Sequence, residues 1–513
     1  HNNAVGLGTL FSNWGGSGNS AIGRQALACN TTGCCNDAMG YRALYQNTTG
    51  CCNVGIGCGV MYNHKTGHSN VGIGTHSLYN ANSGACNVAI GECALYDNWG
   101  GTNNVGIGRC SLRYNTTGTC NIALGNLALK ANTVGGENFA VGYSSLENNT
   151  TGWYNIALGS QALKKNTTSS YNIALGHSPL WSNTTGDMNI AMGYQSLYSN
   201  ISGHCNIALG RQTLKSSWGG DHNIAMGLYT LCSNTEGNYN TGIGCGVLKA
   251  NTTGGYNVGM GCGALGSNTT GQFNTALGEG TLGANTTASY NVGIGGYALD
   301  NNTVGDENVG IGRCALKGAL SGDYNVAIGT TALYSNWGGC DNTAIGQKAL
   351  YTNTTGCNNV AIGANALCKN TTAQNNQAIG ANAMLNNTTG QYNAAIGRYT
   401  LADNTDGDYN NAMGYLALRH NIDGCHNTGI GYGALACNKT GHGNVALGNS
   451  SLYFANSGDS NVAIGTEALC SNWRGCNNIG IGCKALEDWT GNEGKEGSVA
   501  IGTCALASIT TAA

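Results

Sequence analysis

The sequence of 513 residues repeats itself every seventeen residues. The glycine that ends the phrase Asn-Val-Ala-Ile-Gly recurs at this spacing from Gly6 to Gly482, and a last copy at Gly502 follows after twenty residues. A rigid period this short is typical of a solenoid, in which each copy forms one coil stacked on the next. The sequence therefore predicts one elongated stack of thirty coils, although length alone would suggest about three or four globular domains.

Numbering each copy from its Asn shows which positions are constrained. Position 1 is Asn in twenty-nine of thirty copies, with Ser498 as the exception, and position 9 is Leu except at Met61 and Met384. Position 3 is always Ala or Gly, position 4 is always aliphatic, and position 5 is always Gly. Alternation over positions 1 to 4, as in Asn325-Val326-Ala327-Ile328-Gly329, predicts a short strand that ends in a glycine turn.

The second half of the repeat is less constrained. Positions 7 to 11, around the Leu, favour a second short strand, although one turn of helix fits the same residues. Positions 12 to 16, commonly Asn-Thr-Thr-Gly and one more residue, predict a second turn. We expect an all-β fold, a parallel β-solenoid or β-roll of 30 coils with two short strands per coil. The uninterrupted repeat covers residues 1–486, and residues 487–513 hold the last coil, with a three-residue insertion, and the C-terminal end.

Asn at positions 1 and 12 predicts two amide ladders, because stacked in-register Asn side chains bond to their equivalents above and below. A residue repeated in so many copies suits a structural role better than a catalytic one. The predicted ladder at position 1 includes Asn87, Asn104, Asn121, Asn325 and Asn342, and the turn glycines at position 5 include Gly91, Gly108, Gly329 and Gly346.

The twenty-four cysteines occupy only variable positions of the repeat. Residues one period apart lie about 4.8 Å apart at Cα in neighbouring coils, within the range that a disulfide accepts. Paired cysteines indicate an oxidising, extracellular setting, whereas free surface thiols in the cytosol are the alternative. The candidate disulfides are Cys34 with Cys51, Cys35 with Cys52, Cys93 with Cys110, Cys245 with Cys262, and Cys340 with Cys357.

Charge and motifs exclude several classes of protein. Only 9% of the residues are charged, the net charge is −3, and the Lys and Arg residues are scattered, so we expect no nucleic-acid partner. No apolar run approaches the ~20 residues of a membrane span. No acid pair or nucleophile with its base stands out from the period, so we expect neither an enzyme nor a cofactor.

Histidines of adjacent copies form the candidate metal site. His420, His426 and His442 map to positions 11, 16 or 17, near Cys425 and Cys437. Imidazole and thiolate are zinc ligands. The alternative is a disulfide between the two cysteines with bystander histidines, and we expect no metal.

Aromatic residues recur in columns. Stacking between coils is the first interpretation, and carbohydrate binding along a row of exposed rings on a neutral, amide-rich surface is the second. The columns are Tyr45, Tyr62, Tyr79 and Tyr96 at position 10; Tyr154, Tyr171, Tyr239, Tyr256, Phe273 and Tyr290 at position 17; and Trp14, Trp99, Trp218, Trp337 and Trp473 at position 13.

Alternation along the first strand separates two faces, with positions 2 and 4 on one and positions 3 and 5 on the other. Position 3 is never polar in thirty copies, so both faces are predicted to be closely packed. We expect the face of position 3 to meet a second chain or a folded-back segment. The competing account is that the roll is too thin to admit a larger side chain, and replacing Ala327 and Ala361 with Glu distinguishes the two.

The phrases Asn87-Val88-Ala89-Ile90-Gly91 and Asn461-Val462-Ala463-Ile464-Gly465 resemble the head repeats of trimeric autotransporter adhesins and related repeats of bacterial surface proteins and phage tail fibres. The likeness covers the whole chain, although the adhesin repeat is nearer fourteen residues. It implies a left-handed parallel β-roll, three chains side by side, and adhesion to host or matrix surfaces.

We therefore expect an extracellular or cell-surface fibrous structural protein, a surface filament or adhesive fibre shaft. Its expected partners are copies of itself, in a side-by-side trimer or an end-to-end filament, with glycans or a host or matrix surface as further candidates. The alternative is a ligand-binding solenoid that binds glycans or ice through its Thr, Asn and aromatic columns.

Overall fold

The structure, a computed structural model, describes residues 1–488 and 497–507. Each copy of the repeat contributes one three-residue strand, at positions 2 to 4, and the described residues contain no helix. The chain divides into two compact units, His1–Tyr256 and Asn257–Ala513. The predicted all-β parallel solenoid with seventeen-residue spacing is confirmed, whereas the insertion predicted in the last coil lies mostly in residues 489–496, outside the described residues.

The first unit contains fifteen strands. Each strand pairs in parallel with the next one along the chain, and each residue pairs with its equivalent seventeen residues later, as Ala4 does with Ala21. The strands are β1 Asn3–Val5, β2 Ser20–Ile22, β3 Asp37–Met39, β4 Val54–Ile56, β5 Val71–Ile73, β6 Val88–Ile90, β7 Val105–Ile107, β8 Ile122–Leu124, β9 Phe139–Val141, β10 Ile156–Leu158, β11 Ile173–Leu175, β12 Ile190–Met192, β13 Ile207–Leu209, β14 Ile224–Met226 and β15 Thr241–Ile243.

The second unit also contains fifteen strands with the same parallel pairing, as between Ala327 and Ala344. Only the last pair, which joins Gly480 to Ala500, spans twenty residues. The strands are β16 Val258–Met260, β17 Thr275–Leu277, β18 Val292–Ile294, β19 Val309–Ile311, β20 Val326–Ile328, β21 Thr343–Ile345, β22 Val360–Ile362, β23 Gln377–Ile379, β24 Ala394–Ile396, β25 Asn411–Met413, β26 Thr428–Ile430, β27 Val445–Leu447, β28 Val462–Ile464, β29 Ile479–Ile481 and β30 Val499–Ile501.

The core of each coil is formed by positions 3, 8 and 9. In one coil these are Ala327, Ala332 and Leu333, all without solvent exposure. Position 3 lies against the Leu of the preceding coil, so that a Cβ added to Gly310 would stand 3.2 Å from Cγ of Leu299. Position 3 must therefore be small because the interior of the coil leaves room for little beyond that Leu.

The side chains of positions 2 and 4 point outward instead. Ile328 and Ile345, at position 4, are 38% and 37% exposed. The expectation that Ala327 and Ala361 meet a second chain was wrong, because both are fully buried in their own coils. The competing account, that a thin roll excludes larger residues at position 3, agrees with the structure.

The second strand predicted for each coil is not observed in residues 1–488 and 497–507. Positions 6 to 11 form turns, and positions 7 and 9 have left-handed backbone, with φ of 56° at Thr331 and 49° at Leu333. The turns still bond to neighbouring coils, since Leu333 N donates to Ala349 O at 2.9 Å and Thr331 N donates to Arg313 O at 3.0 Å. Left-handed residues curl the chain over the buried Leu while their N–H groups continue the ladder between coils.

Glycine at position 5 ends each strand. At Gly329 φ is 133°, and an added Cβ would lie 2.8 Å from the carbonyl oxygen of Gly346 in the next coil. Both the backbone conformation and the close contact require glycine. Gly91, Gly108 and Gly346 share this geometry, with φ of 132°, 127° and 132°.

Candidate functional sites

The Asn ladder predicted at position 1 is confirmed. Both the backbone N and the side-chain Nδ2 of Asn342 donate to Oδ1 of Asn325 in the preceding coil, each at 3.1 Å. Nδ2 of Asn342 also donates to the carbonyl of Gly356 at position 15, at 2.8 Å. Each Asn therefore satisfies a backbone N–H of the next coil. The bonds recur between Asn87 and Asn104, and between Asn104 and Asn121.

Position 12 carries a second ladder of different construction. Nδ2 of Asn353 donates to Oδ1 of Asn336 at 2.8 Å and to the carbonyl of Gly356 at 2.9 Å. The backbone N of Asn353 bonds within its own coil, to Leu350 O at 3.2 Å. The Asn side chain at position 12 therefore accepts a hydrogen bond from the side chain of the next coil and not from its backbone N–H.

The second ladder is interrupted at five described copies. At four of these breaks the Asn one coil earlier keeps a buried Oδ1 without a hydrogen-bond partner, and an unpaired buried acceptor of this kind is uncommon in proteins. The breaks are His64, Ala81, Ser217, Ala319 and Ala455, and the unpaired oxygens belong to Asn47, Asn200, Asn302 and Asn438.

His64 fills one of these breaks with a buried imidazole. Its Nδ1 bonds to the carbonyl of Ala81, and its Nε2 lies 3.1 Å from the carbonyl of Gly67. Burial lowers the pKa of His64, because an imidazolium loses hydration there.

Breaks in the ladder coincide with exposed tryptophans at position 13. Ala81, Ala319 and Ala455 stand one coil before Trp99, Trp337 and Trp473, and Ser217 immediately precedes Trp218. These four indoles are between 57% and 62% exposed. In three of these four places the tryptophan lies in the coil after the break, and at Ser217 it lies in the same coil.

Position 16 holds six of the twenty-four cysteines. The backbone N of each position 16 faces the side chain of position 16 in the next coil, so that Cys34 N donates to Cys51 Sγ and Cys340 N to Cys357 Sγ, both at 3.1 Å. Asp, Ser, Asn and His side chains accept the same bond elsewhere. Bonding from Ser17 lowers the pKa of the Cys34 thiol. A cysteine at this position therefore acts as a hydrogen-bond acceptor.

None of the five predicted disulfides is formed in the structure. In-register stacking keeps neighbouring Cβ atoms about 4.8 Å apart, beyond the ~3.8 Å typical of a disulfide. Burial raises the pKa of Cys93 and Cys340. The free thiols are Cys34 and Cys51, Cys35 and Cys52, Cys93 and Cys110, Cys245 and Cys262, and Cys340 and Cys357.

The three candidate histidines have separate partners. His420 Nδ1 lies 2.7 Å from Asp403 Oδ2, the ring of His426 stacks on Tyr409 at 5.0 Å, and His442 Nδ1 accepts from Cys425 N at 3.0 Å. No group of three metal-ligating side chains is assembled in residues 1–488 and 497–507. The structure therefore does not bring these histidines together.

The aromatic columns stack between coils. Rings at position 10 form a continuous stack, with centroids 5.0 Å apart for Tyr45 and Tyr62, 5.1 Å for Tyr62 and Tyr79, and 4.9 Å for Tyr79 and Tyr96. Because neighbouring rings cover each other's faces, mainly their edges are open to a ligand. The position 13 tryptophans lie three residues further along the coil than this stack and have no ring partner among the described residues.

The sequence predictions missed four candidate binding residues. Lys65 and Asn82 stand at position 13 in the two coils before Trp99, and Lys439 and Asn456 stand there before Trp473. The available signal was the departure of consecutive copies from Thr, the usual residue at this position.

The fold and its amide ladders define a β-solenoid repeat protein. No protein-family model matches the chain, and no curated protein matches it either. Within the described residues there is no helix of sufficient length and apolarity to span a bilayer.

Proposed function

We propose that the chain is a fibrous structural protein of the cell surface or extracellular space, without catalytic activity, that associates side by side with copies of itself. The observation that supports this proposal is the strand face, the outward surface formed by positions 2 and 4. Position 4 is aliphatic in every copy, and many of these side chains are more than a third exposed, as at Ile328 and Ile362.

An exposed apolar surface of this kind, repeated from coil to coil within each unit, favours a protein partner. Contiguous exposed apolar patches larger than about a few hundred Å² mark interaction sites. Charge is almost absent from the strand face, where Asp37 is the only charged residue of positions 2 and 4. A partner that matched every coil would need the same axial repeat, and a second copy of this chain has it. The resemblance to trimeric adhesin heads supports three chains and a surface location.

The test is to place charge on the strand face. Analytical ultracentrifugation of the purified chain should show an oligomer, and Ile328→Lys, Ile345→Lys and Ile362→Lys together should weaken association by about a hundredfold or more, since each buried Ile contributes roughly 1.5–3 kcal/mol. Circular dichroism should stay unchanged because these side chains lie outside the core.

The matched control places the same three charges at position 6 of the same coils. Thr330, Gln347 and Ala364 are exposed, and replacing them with Lys should leave association intact. A monomeric native chain would refute self-association. An assembly that the strand-face variant does not weaken would refute side-by-side association and leave end-to-end stacking as the mode of assembly.

A further inference from the structure

Position 13 has a defined structural role in most coils. It is Thr in eighteen copies, and the hydroxyl commonly donates to the position 13 carbonyl of the next coil, as Thr354 Oγ1 does to Thr371 O at 2.9 Å. In two places three consecutive coils give up this hydroxyl for the same series of residues. The series are Lys65, Asn82 and Trp99 in the first unit, and Lys439, Asn456 and Trp473 in the second.

The first series forms one wall of a groove of about 330 Å³. The opposite side is lined by amides of position 11, Gln46, Asn63 and Asn80. Nδ2 of Asn63 donates to Oδ1 of Asn80 at 2.7 Å, and Nδ2 of Asn80 donates to the Asp97 carboxylate at 2.6 Å. The groove therefore presents a fixed row of amides beside an indole.

The second series lines a larger groove of about 650 Å³. Position 11 supplies His420, Cys437, Phe454 and Ser471, and the Asp403 carboxylate is held by His420. A further groove of about 540 Å³ shares His420 and Lys439 with this one and continues it along the coils. The open surface in the second unit therefore extends over several coils.

Both grooves carry an unneutralised cation. Within residues 1–488 and 497–507 neither Lys65 nor Lys439 forms an ion pair, and Lys65 is the only charged side chain that lines the first groove. The nearby carboxylates of Asp97 and Asp403 are already bonded to protein groups. The unmatched charge therefore favours an anionic ligand.

Both grooves also coincide with breaks in the position 12 ladder. The coils that supply Asn82 and Asn456 have Ala81 and Ala455 in place of the ladder Asn, and Oδ1 of Asn438 is left buried and unpaired one coil earlier. At both sites, then, one coil lacks both the ladder Asn at position 12 and the hydrogen-bonded Thr at position 13. These departures favour a local role other than stacking.

We propose that each groove binds an acidic sugar of a polysaccharide, which goes beyond the proposed structural function. The indole of Trp99 or Trp473 would cover the apolar face of a pyranose ring. The Lys ammonium would pair with the sugar carboxylate, and the Asn side chains would bond to hydroxyl groups. The rise of one coil is close to the length of one sugar ring, so successive rings of a chain can meet successive coils.

The test is isothermal titration calorimetry of the full chain with an oligogalacturonate, and with the uncharged galactose oligomer of equal length as the matched probe. The acidic probe should bind at about two sites per chain, and the neutral probe should bind at least tenfold more weakly. Absence of heat with millimolar oligogalacturonate, or equal affinity for both probes, would overturn the proposal.

The variants locate the binding. Trp99→Thr with Trp473→Thr restores the common residue and should abolish binding, and Lys65→Gln with Lys439→Gln should lower affinity for the acidic probe about tenfold without affecting the neutral one. Trp218→Thr with Trp337→Thr is the matched control, because these tryptophans follow Ile201 and Leu320 instead of the Lys and Asn.

Equal loss in the Trp218 and Trp337 control would refute the assignment to the two grooves. None of these residues belongs to the strand face, so sedimentation of the same variants reports on side-by-side association separately from sugar binding.

Discussion

The Asn side chains at positions 1 and 12 of one coil donate to the same carbonyl oxygen. They differ in which group of the next coil they accept a hydrogen bond from. Asn342 and Asn353 both donate to Gly356 O. Oδ1 of Asn342 also accepts the backbone N of Asn359 in the next coil, at 3.1 Å. Asn353 accepts only a side-chain donor, Nδ2 of Asn370, at 2.7 Å.

This difference explains where the repeat varies. Loss of a position 1 side chain would leave a buried backbone N–H without an acceptor, which is costly. Loss at position 12 leaves only side-chain groups unpaired, so Ala319 and Ala455 are tolerated. Even Ser498, the one position 1 substitute, keeps its own N bonded to Oδ1 of Asn478 at 3.0 Å.

The largest effect is expected from replacing the position 1 Asn and, in a separate variant, the position 12 Asn of the same coil. Asn342→Ala should lower local stability by roughly 2–4 kcal/mol, because it orphans the N–H of Asn359 together with side-chain groups. Asn353→Ala should cost roughly 1–2 kcal/mol, because no backbone group is orphaned. Hydrogen exchange with mass spectrometry on the full chain measures the protection of coils 342–370 directly.

A control variant and a contradicting result complete this experiment. Gln347→Ala alters an exposed residue of the same coil and serves as a control for the general effect of substitution. Equal loss of protection in Asn342→Ala and Asn353→Ala would contradict the distinction between positions 1 and 12.

An intermediate effect is expected from repairing the weaker ladder. Ala319→Asn should add roughly 1 kcal/mol of local stability, since a new amide would donate to the unpaired Oδ1 of Asn302 and to Gly322 O. Exchange rates across residues 302–336 should fall. Ala319→Leu has similar volume without an amide, and an equal gain in that variant would show that filled space, rather than the ladder, is responsible.

The smallest effect is expected from His64 and depends on pH. Burial lowers its folded-state pKa, while the unfolded value is about 6.5. Below about pH 6.5 the unfolded chain therefore binds a proton that the folded chain excludes, so local stability is lost as the pH falls from there toward the lowered pKa. His64→Asn should remove this loss and supply a donor for the unpaired Oδ1 of Asn47. Exchange at pH 7.5 and pH 5.0 measures the difference, and a pH response unchanged in the variant would contradict it.

Much of the fold was readable from the sequence because its requirements are repeated. A residue type that recurs at the same position of the repeat predicts a local structure directly. This holds for the strand at positions 2 to 4, the ladder through Asn325 and Asn342, and the turn at Gly329. Alternation alone could not tell which face of the strand was buried, because that depends on where the Leu of position 9 lies in space.

The left-handed turns were harder to predict. Leu and Thr show no preference for positive φ, so Thr331 and Leu333 gave no signal of their own. Comparison between copies held a partial signal, since position 7 is sometimes glycine. The five predicted disulfides are not formed in the structure, and a suitable Cα separation alone does not determine whether a disulfide can form. The glycines at position 7 are Gly8, Gly59, Gly246, Gly263, Gly280 and Gly433, with φ between 61° and 70°.

The left-handed residue at position 9 of every coil, Leu or Met, has a consequence for how the chain folds. An L-residue in this conformation costs about 1–2 kcal/mol, and one coil can contain three, as at Thr331, Leu333 and Asp341. A lone coil has nothing to offset that cost, whereas a coil added to an existing one gains its hydrogen bonds and buries its Leu. Folding should therefore begin with a rare nucleus of several coils and then propagate from its ends, each finished coil serving as the template for the next.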